Sequence, residues 1–487
     1  MAWFSPELTE IKTYCEDCFR SEAFDATKYG RDFDFSRPFF EQFRELYYAV
    51  PHHISNAIKN ENCEYIISAH QNKNCYMADE VDDSWDCYFG YTFQRVKNIT
   101  EGLYIHDSEI GYQLVKAENC YAVFYSKNVF HCSESAFLLN CRSCKKCLFC
   151  ANLRNKEYHI FNQKVSKEEF QKYWDFLFSG SQKNRETCRE KFSEFLQTQY
   201  FPAATIIHCE DSTGDYITHS KNAQYCFCVD YLRDCKYCTD IHRSQDCMDV
   251  NIYEGELCYE CNHIGPEGYK NRFSQLTWFS SDIDYSIDLY NCQNCFGSTS
   301  LKKEKYCILN KKYSREEYEQ LTSKIIEHMK QTGEWGEFFP IEMSPQPYNH
   351  TMAQRFYPLI KKEVLSRGWK WLDEKEEIKE SAEHHIPENL SEIGNDFTSK
   401  VFLCEETGKK FRFIPQEIKF YQKWGIPLPT VAPVQRIENL WNQLGERKLY
   451  NRKCAISGEE IETTYPPEFE GKVVSQEEYL KIVEGIL

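Results

Sequence analysis

The chain has 487 residues, and its 58 Lys and Arg against 75 Asp and Glu give a formal net charge of −17. This acidic balance disfavours a phosphate backbone or an anionic membrane as the partner, and the sequence has no run of eighteen apolar residues that could span a bilayer. The start, MAWFSPELTEIKTYC, shows neither a basic region nor an apolar signal region, so we expect a cytoplasmic protein whose 25 cysteines stay reduced.

The first candidate site is the C-x2-C pair formed by Cys15 and Cys18. Zinc needs four ligands, usually from two such pairs brought together. No second pair lies nearby in the sequence, so zinc bound by Cys15 and Cys18 with unknown partner ligands is the possible cofactor. Surface thiols without a metal are the alternative interpretation.

The segment SRPFFEQFREL predicts a helix that starts at Ser36, with Pro38 in its first turn and a core stripe that includes Phe39 and Phe43. The adjacent pair His52-His53, like His384-His385, does not indicate a shared metal. Adjacent side chains diverge on a helix, so these histidines are expected to be ordinary polar positions.

Cysteines then recur at regular spacings. Cys63, Cys75 and Cys87 are twelve residues apart, and four cysteines between 141 and 150 are three apart. Many follow Asn or Asp, residues that tolerate the left-handed conformation of a tight corner. The runs between them, such as CYFGYTF and CYAVFYS, are short and rich in aromatic and branched residues, which favours strands. This pattern predicts a β-solenoid in which small apolar cysteines fill the core.

This pattern occurs twice, as an internal duplication of the sequence. RNKEYHIFNQKVSKEEF, from Arg154, aligns without a gap with KKEKYCILNKKYSREEY, from Lys302, at an offset of 148 residues. The duplication predicts two solenoid halves of four or five rungs each, roughly 20–25 Å long, packed side by side rather than end to end. Two separate α/β modules without a solenoid remain the alternative. The steps of three between cysteines arise from the repeat, so its C-x2-C matches indicate core packing rather than metal binding.

Each half ends in a predicted helix. Ser166 is followed by Glu169, and Ser314 by Glu317, which is the capping-box spacing. These helices are expected to cover the exposed rung edges.

The C-terminal part contains Cys404-Glu-Glu-Thr407 and Cys454-Ala-Ile-Ser457, each followed by Gly. Both are similar to zinc-ribbon knuckles in which Thr or Ser has replaced the second Cys. With one thiol left per knuckle, the site cannot be completed locally, so we expect a ribbon shape without its metal. The charge-rich stretch DEKEEIKESAEHH (373–385) is expected to be a solvated helix or linker.

The fold class is therefore mainly β with α: duplicated cysteine-rich β-solenoid-like halves, each capped by a helix, plus a degenerate zinc-ribbon-like module. The predicted units are an N-terminal ribbon remnant and helix (1–50), solenoid half 1 (51–165), a helical connector (166–206), solenoid half 2 (207–313), a helical cap with charged linker (314–395) and the C-terminal module (396–487).

The phrases YGRDFDFSRPFFEQFREL, STGDY, TGEWGEFFP and the tail from Cys404 give the whole chain a resemblance to one family. These are the cysteine-rich, zinc-ribbon-flanked hypothetical proteins of uncultured bacteria with reduced genomes, often labelled with an unreliable transferase-family name. The resemblance implies no established activity. The transferase label finds no support in these residues.

Three classes of function remain open. The first is a non-catalytic scaffold that binds a protein partner, for which the long surface and the flanking modules speak. The second is an acidic rod that imitates nucleic acid to bind a basic protein, which requires acidic residues in rows along one face. The third is an enzyme in the solenoid groove, which requires a pocket with a perturbed carboxylate, His or thiol. No catalytic residue stands out, because the sequence has neither a phosphate-binding glycine loop nor a G-x-S-x-G motif.

Overall fold

The computed structural model describes residues 10–55, 57–94, 97–106, 109–252, 254–265, 268–373 and 384–485. It is mainly β with helices. The α-helices are α1 Glu16–Arg20, α2 Phe39–Ala49, α3 Lys167–Leu177, α4 Gln182–Leu196, α5 Arg315–Thr332, α6 Met352–Phe356, α7 Lys361–Ser366, α8 Pro415–Trp424, α9 Pro433–Asn442 and α10 Gln476–Val483. Among the described residues, no helix is both long and apolar enough to cross a membrane.

Most strands belong to two large, mainly parallel sheets. The first sheet comprises β3 Ala57–Ile58, β4 Ala69–His70, β5 Tyr76–Asp82, β6 Tyr88–Gln94, β7 Lys97–His106, β8 Glu109–Glu118, β9 Tyr121–Phe124, β10 Lys127–Phe130, β11 Ser133–Leu139, β12 Lys145–Ala151, β13 Glu157–Ile160 and β14 Gln163–Lys164. The second sheet comprises β16 Ile206–Ile207, β17 Gly214–Thr218, β18 Lys221–Gln224, β19 Cys226–Lys236, β20 His242–Gln245, β21 Met248–Ile252, β22 Gly255–Glu256, β23 Tyr259–Ile264, β24 Gly268–Arg272, β25 Gln275–Trp278, β26 Ser281–Asp284, β27 Ile287–Tyr290, β28 Gln293–Phe296, β29 Lys305–Ile308 and β30 Lys311–Lys312.

Four small two-stranded pairings complete the β structure. They are formed by β1 Thr13–Tyr14 with β2 His52–His53, β15 Tyr200–Pro202 with β35 Lys472–Val474, β31 Phe402–Leu403 with β32 Lys410–Phe411, and β33 Tyr450–Lys453 with β34 Glu460–Thr463.

The strands of the first sheet pair in parallel with a shift of twelve residues, as in Tyr76 with Tyr88 and Tyr88 with Thr100. The second sheet follows the same register over much of its length, with Cys295 opposite Cys307, but the shift is eleven from Ser244 to Gly255 and thirteen from Gly255 to Gly268. A shift of twelve means that the chain returns to the same place after twelve residues. This arrangement is consistent with a solenoid-like fold. At twelve residues per turn, each sheet holds about nine turns and is ~43 Å long, so the prediction of four or five rungs per half was too low.

The reason for the short turn lies in the backbone. A residue with positive φ recurs at every third position, as at Asn140 (53°), Ser143 (51°), Lys146 (51°) and Phe149 (54°). Each such residue turns the chain, so twelve residues make four short sides. Non-glycine residues rarely adopt this conformation, and Asn and Asp tolerate it best. The prediction that Asn or Asp before a core cysteine takes the left-handed conformation is confirmed at nine positions: Asn62, Asn74, Asp86, Asn119, Asn140, Asp234, Asp246, Asn291 and Asn294.

The residue after each corner points inward. Cys141, Cys144, Cys147 and Cys150 are all at most 1% exposed, which explains the steps of three between cysteines as packing.

The interior also shows why Ser can replace Cys. The Cys63 thiol donates to Glu61 O and accepts from Cys75 N at 3.3 Å each. Ser280 makes the same two bonds, to Trp278 O (2.9 Å) and from Cys292 N (3.0 Å). The cysteine-poor segment 264–290 therefore keeps the same interior pattern, using Asn, Ser and Thr.

The two sheets end in the same way. Asn162 Oδ1 accepts from Ala151 N (3.0 Å) and its Nδ2 donates to Ala151 O (2.9 Å). Asn310, which is 148 residues later, makes the equivalent bonds to Thr299, both at 2.8 Å. Each Asn thus occupies the backbone groups that the next turn would have used.

A helix follows each of these ends. The predicted capping box is confirmed at Ser314, whose N–H donates to Glu317 while its hydroxyl accepts from Glu317 N (2.9 and 3.2 Å). At Ser166 the structure gives the hydroxyl bond from Glu169 N (3.1 Å).

The prediction for the first long helix was wrong at its start, because α2 begins at Phe39 rather than at Ser36. The backbone N–H and the hydroxyl of Ser36 instead donate hydrogen bonds to the Asp34 carboxylate. The cap comes from a distant residue: the buried Glu334 carboxylate accepts from Phe39 N (2.8 Å) and Phe40 N (2.7 Å). The motif TGEWG therefore supplies a carboxylate that the local sequence of α2 lacks.

The N-terminal segment packs on the second sheet, although the chain enters the first sheet next. Phe39 of α2 lies against Tyr285 and Phe296, with ring centroids 5.4 Å apart in both cases. On the first sheet the corresponding helix is α4, whose Phe192 lies 5.6 Å from Phe137. The two sheets contact each other, with Lys116 Nζ 4.0 Å from the centre of the Tyr216 ring.

Candidate functional sites

The predicted metal ligands Cys15 and Cys18 lie at the surface. β1 ends at Tyr14, Cys15 caps the short helix α1, and both thiols are exposed. Hydrogen bonds from the backbone and the thiol of Cys18 lower the pKa of Cys15, whereas the hydrogen bond to Cys15 raises the pKa of Cys18. The two thiols are therefore adjacent, and Cys15 is the more easily ionised.

Two thiols fit half of a tetrahedral zinc site. Within the described ranges, no group of three or more His, Cys, Asp or Glu side chains is placed to hold a metal ion. A zinc ion at Cys15 and Cys18 would need two ligands from outside the described residues, and the metal assignment stays a prediction.

A buried cluster that the sequence interpretation missed lies behind this pair. His52 and His53 are on strand β2, not on a helix, and are 1% and 4% exposed. His53 Nε2 lies 3.4 Å from Asp288 Oδ1, and His52 Nδ1 lies 3.2 Å from Ser300 Oγ. The expectation of ordinary polar positions was wrong, because the strand inserts both rings between α2 and the second sheet.

Electrostatics tie this cluster together. Burial raises the pKa of Asp288, but the charge of His53 and the hydrogen bond from His52 outweigh this effect and leave it below its ordinary value. Burial with the nearby Asp288 charge raises the pKa of Tyr47 well above its ordinary range. The cluster fastens the N-terminal segment to the second sheet.

The two C-terminal knuckle-like sequences each form a tight turn closed by a backbone hydrogen bond. Gly408 N donates to Cys404 O at 2.8 Å, and Gly458 N donates to Cys454 O at 3.0 Å. Each turn joins an antiparallel hairpin, β31–β32 or β33–β34. Both thiols are buried, Cys404 with the aromatic cluster around Phe402 and Cys454 with Val474. The two turns thus pack in different places.

Backbone and hydroxyl groups occupy the surroundings of Cys454. Its Sγ accepts from Ser457 N (3.5 Å) and Ser475 N (3.4 Å) and lies 3.9 Å from Ser475 Oγ. Burial raises the pKa of this thiol, but the bonds from Ser457 and Ser475 lower it to about 7. These groups surround the sulfur of Cys454.

An open groove of about 360 Å³ runs along the outside of the second sheet. Its walls are successive turns, so like positions form rows: one row contains Asn222, Asp234 and Asp246, and the other contains Gln224, Lys236, Met248, Tyr259 and Arg272. The cysteine pattern alone could not predict this groove, because the residues that line its walls face outward and lie next to the core positions.

The rim of the groove carries two carboxylates with perturbed ionisation. Burial raises the pKa of Asp249, and burial with the charges of Asp249 and Glu337 raises the pKa of Glu260, although Tyr259 opposes this. Tyr225 and Tyr237 are 43% and 46% exposed beside them, with ring centroids 5.6 Å apart. The charge of Lys236 partly opposes the shift at Asp249. The rim thus combines two carboxylates with aromatic surface.

Comparisons with known proteins show no family. No family model matches the chain, and no curated protein matches it. Among solved structures, a putative acetyltransferase from Desulfovibrio desulfuricans G20 is 10% identical, with half of this chain and 65% of that chain covered and a TM-score of 0.12. The UDP-N-acetylglucosamine acyltransferase from Campylobacter jejuni is 8% identical, with 58% and 91% covered and a TM-score of 0.09. Similarity at this level supports no inference about activity.

Proposed function

We propose that this chain is a non-catalytic scaffold, built on a duplicated cysteine-rich solenoid, that binds a basic, extended segment of a protein partner in the groove of the second sheet. The observation that carries the proposal is the groove itself. It is long and open, its rows repeat at the spacing of the turns, and its rim places Asp249 and Glu260 beside exposed tyrosines.

Charge complementarity selects the partner. Burial and the charge of Asp249 raise the cost of ionising Glu260, and burial raises the cost of ionising Asp249. A Lys or Arg side chain between the two carboxylates would relieve both.

Exposed Tyr225 offers a ring face that attracts cations, as the neighbouring Tyr237 ring does for Lys236 Nζ, which lies 4.7 Å from its centre. An extended backbone can also follow the polar row that contains Asn222 and Asp234, where Asn222 already donates to Asp234 at 2.8 Å.

The arrangement of charges on the two sheets disfavours the alternative of an acidic rod that imitates nucleic acid. Opposite charges pair from one turn to the next, as in Lys73 with Glu61 (2.7 Å), Lys221 with Glu210 (2.6 Å) and Arg272 with Asp284 (2.7 Å). Alternating pairs of this kind cancel the field that rows of acid would produce.

A second candidate, an enzyme in this groove, is favoured by one observation: a pair of carboxylates with raised pKa values is the signature of acid–base chemistry. The scaffold is preferred because the groove is open and its thiols, at Cys235, Cys247 and Cys258, are buried and hydrogen-bonded to backbone carbonyls.

The test is binding of a fluorescent twelve-residue peptide that alternates Lys or Arg with small residues, followed by anisotropy at low salt. Replacing Asp249 by Asn together with Glu260 by Gln should weaken binding about 3- to 10-fold, since an exposed ion pair contributes roughly 0.2–1 kcal/mol. The matched control, Glu190→Gln with Glu194→Gln, removes the same charge from the exposed face of α4 and should have little effect. Equal weakening by both double variants would reduce the effect to net charge and reject the groove.

A further inference from the structure

The duplicated halves contain two equivalent ring residues that differ in what covers them. The offset of 148 residues places Phe89 of the first sheet at the position of Tyr237 in the second, and Asp86-Cys87 at that of Asp234-Cys235. Both rings stand at corners, with φ of 56° at Phe89 and 54° at Tyr237. The cysteine two residues before each ring is buried in the core. The two rings therefore occupy the same place in their turns.

The chain itself covers the ring on the first sheet. Helix α9 packs against β6, β7 and β8, and the guanidinium carbon of Arg436 lies 5.1 Å from the centre of the Phe89 ring. Phe89 and Arg436 are 1% and 4% exposed. Arg436 Nη2 also lies 3.5 Å from Oε2 of Glu417, a buried carboxylate of α8. An arginine on the corner ring, with a carboxylate beside it, therefore occupies this position on the first sheet.

The equivalent ring on the second sheet lies open at the rim of the groove. Tyr237 is 46% exposed, and Lys236 Nζ lies 4.7 Å from its centre. Lys236 is itself exposed, whereas Tyr88, its equivalent on the first sheet, is 7% exposed. The second sheet also supplies carboxylates, because Asp249 and Glu260 stand at the next two corners after Tyr237. The rim thus has the ring and the carboxylates of an arginine site, with a lysine in the place of the arginine.

We infer that the basic segment bound in the groove is recognised through an arginine, whose guanidinium displaces the Lys236 ammonium from the face of Tyr237 and stacks there. This inference rests on the proposed function and names the side chain that the groove selects. A lysine of the partner would only exchange one ammonium for another on the same ring. A guanidinium is planar, is more weakly hydrated than an ammonium and stacks on aromatic faces, so the exchange stabilises a complex with arginine.

The carboxylates near Tyr237 support this exchange. Burial raises the pKa of Asp249 and the charge of Lys236 opposes this effect, which means that an ammonium released from the ring keeps an acidic neighbour. Glu260 stands at the following corner, and burial together with the charges of Asp249 and Glu337 raises its pKa. A guanidinium brought onto Tyr237 adds a positive charge and five N–H donors beside these carboxylates, which favours their ionised forms.

The experiment compares two fluorescent twelve-residue peptides in which the basic positions, alternating with small residues, are all arginine in one and all lysine in the other. Anisotropy with the full chain at low salt should show about 2- to 5-fold tighter binding of the arginine peptide, as expected for a cation on an exposed ring. Tyr237→Leu should abolish this preference and still bind the lysine peptide, and Tyr237→Phe should retain the preference. The matched control, Tyr231→Leu, removes a ring that is 49% exposed at another corner of the same sheet and should also retain it.

Equal affinity of the wild type for the two peptides would overturn the inference, although binding of both would still support the groove as a site for basic segments. A preference for arginine that persists in Tyr237→Leu, with the circular dichroism spectrum of the wild type, would place the guanidinium elsewhere and overturn it as well. Equal loss of the preference in Tyr231→Leu and Tyr237→Leu would do the same. Failure of both peptides to bind the wild type would reject the proposed function and this inference with it, so the two failures are distinguishable.

Discussion

The equivalence of Asn162 and Asn310 provides the sharpest test of the fold. Each side chain makes two hydrogen bonds to the backbone of the preceding turn. Each also donates a third, from Asn310 to Ala26 O at 3.2 Å and from Asn162 to Gln199 Oε1 at 3.5 Å. Both residues have positive φ, 61° and 62°. Replacement by Ala therefore removes hydrogen bonds and also places Ala in the left-handed region, which costs about 1 kcal/mol.

The magnitudes follow from the number of bonds. At about 1 kcal/mol for each net hydrogen bond, Asn310→Ala and Asn162→Ala should each reduce local stability by ~4 kcal/mol. Asn291 has a φ of 53° and an exposed side chain, so Asn291→Ala isolates the backbone cost and should lose only ~1 kcal/mol.

Hydrogen exchange followed by mass spectrometry is the appropriate assay, because a chain of this size need not unfold in one step. Faster exchange should be confined to the last turn of the second sheet and the N-terminal segment for Asn310→Ala, and to the last turn of the first sheet for Asn162→Ala. A loss at Asn291→Ala as large as at Asn310→Ala would refute the role assigned to the side-chain bonds.

Three further predictions concern the N-terminal segment and the thiols. Glu334→Ala removes the acceptor at the start of α2 and should speed exchange in α2 by an amount equivalent to about 2–4 kcal/mol, whereas Glu334→Asp should retain part of the protection. A thiol reagent should modify Cys15 and Cys18 first and reach buried Cys120, whose pKa burial raises to about 11, only in denaturant; rapid modification of Cys120 in the native state would contradict its placement. Because its neighbours lower the pKa of Asp288, its stabilising charge is fully present above about pH 4 and is lost as pH falls through its folded pKa. Acid should thus release the N-terminal segment of the wild type, and Asp288→Asn should release it at neutral pH.

Structural features that depend on residues close together in the chain could be predicted from the sequence. These features are the spacing of cysteines by three and twelve, the Asn or Asp before them and the duplicated phrase. Each reflects the backbone of a single turn, because a corner needs a residue with φ > 0 and the next position needs a small side chain that points inward. The capping box at Ser314 likewise predicted the helix that follows, because its hydrogen bonds join residues only three positions apart. The number of turns was misjudged because a corner at every third residue shortens the turn to twelve.

The candidate sites depended on contacts that join distant parts of the chain. Glu334 reaches α2 across 294–295 residues, and His53 meets Asp288 across the boundary between the N-terminal segment and the second sheet. No local pattern indicates which sheet the N-terminal segment packs on. The segment precedes the first sheet in the chain, but in space it packs on the second sheet. Periodicity fixes which side chains face inward, but only the stacking of turns decides which outward side chains become neighbours. The groove and the buried pairing of His53 with Asp288 are therefore products of the tertiary structure.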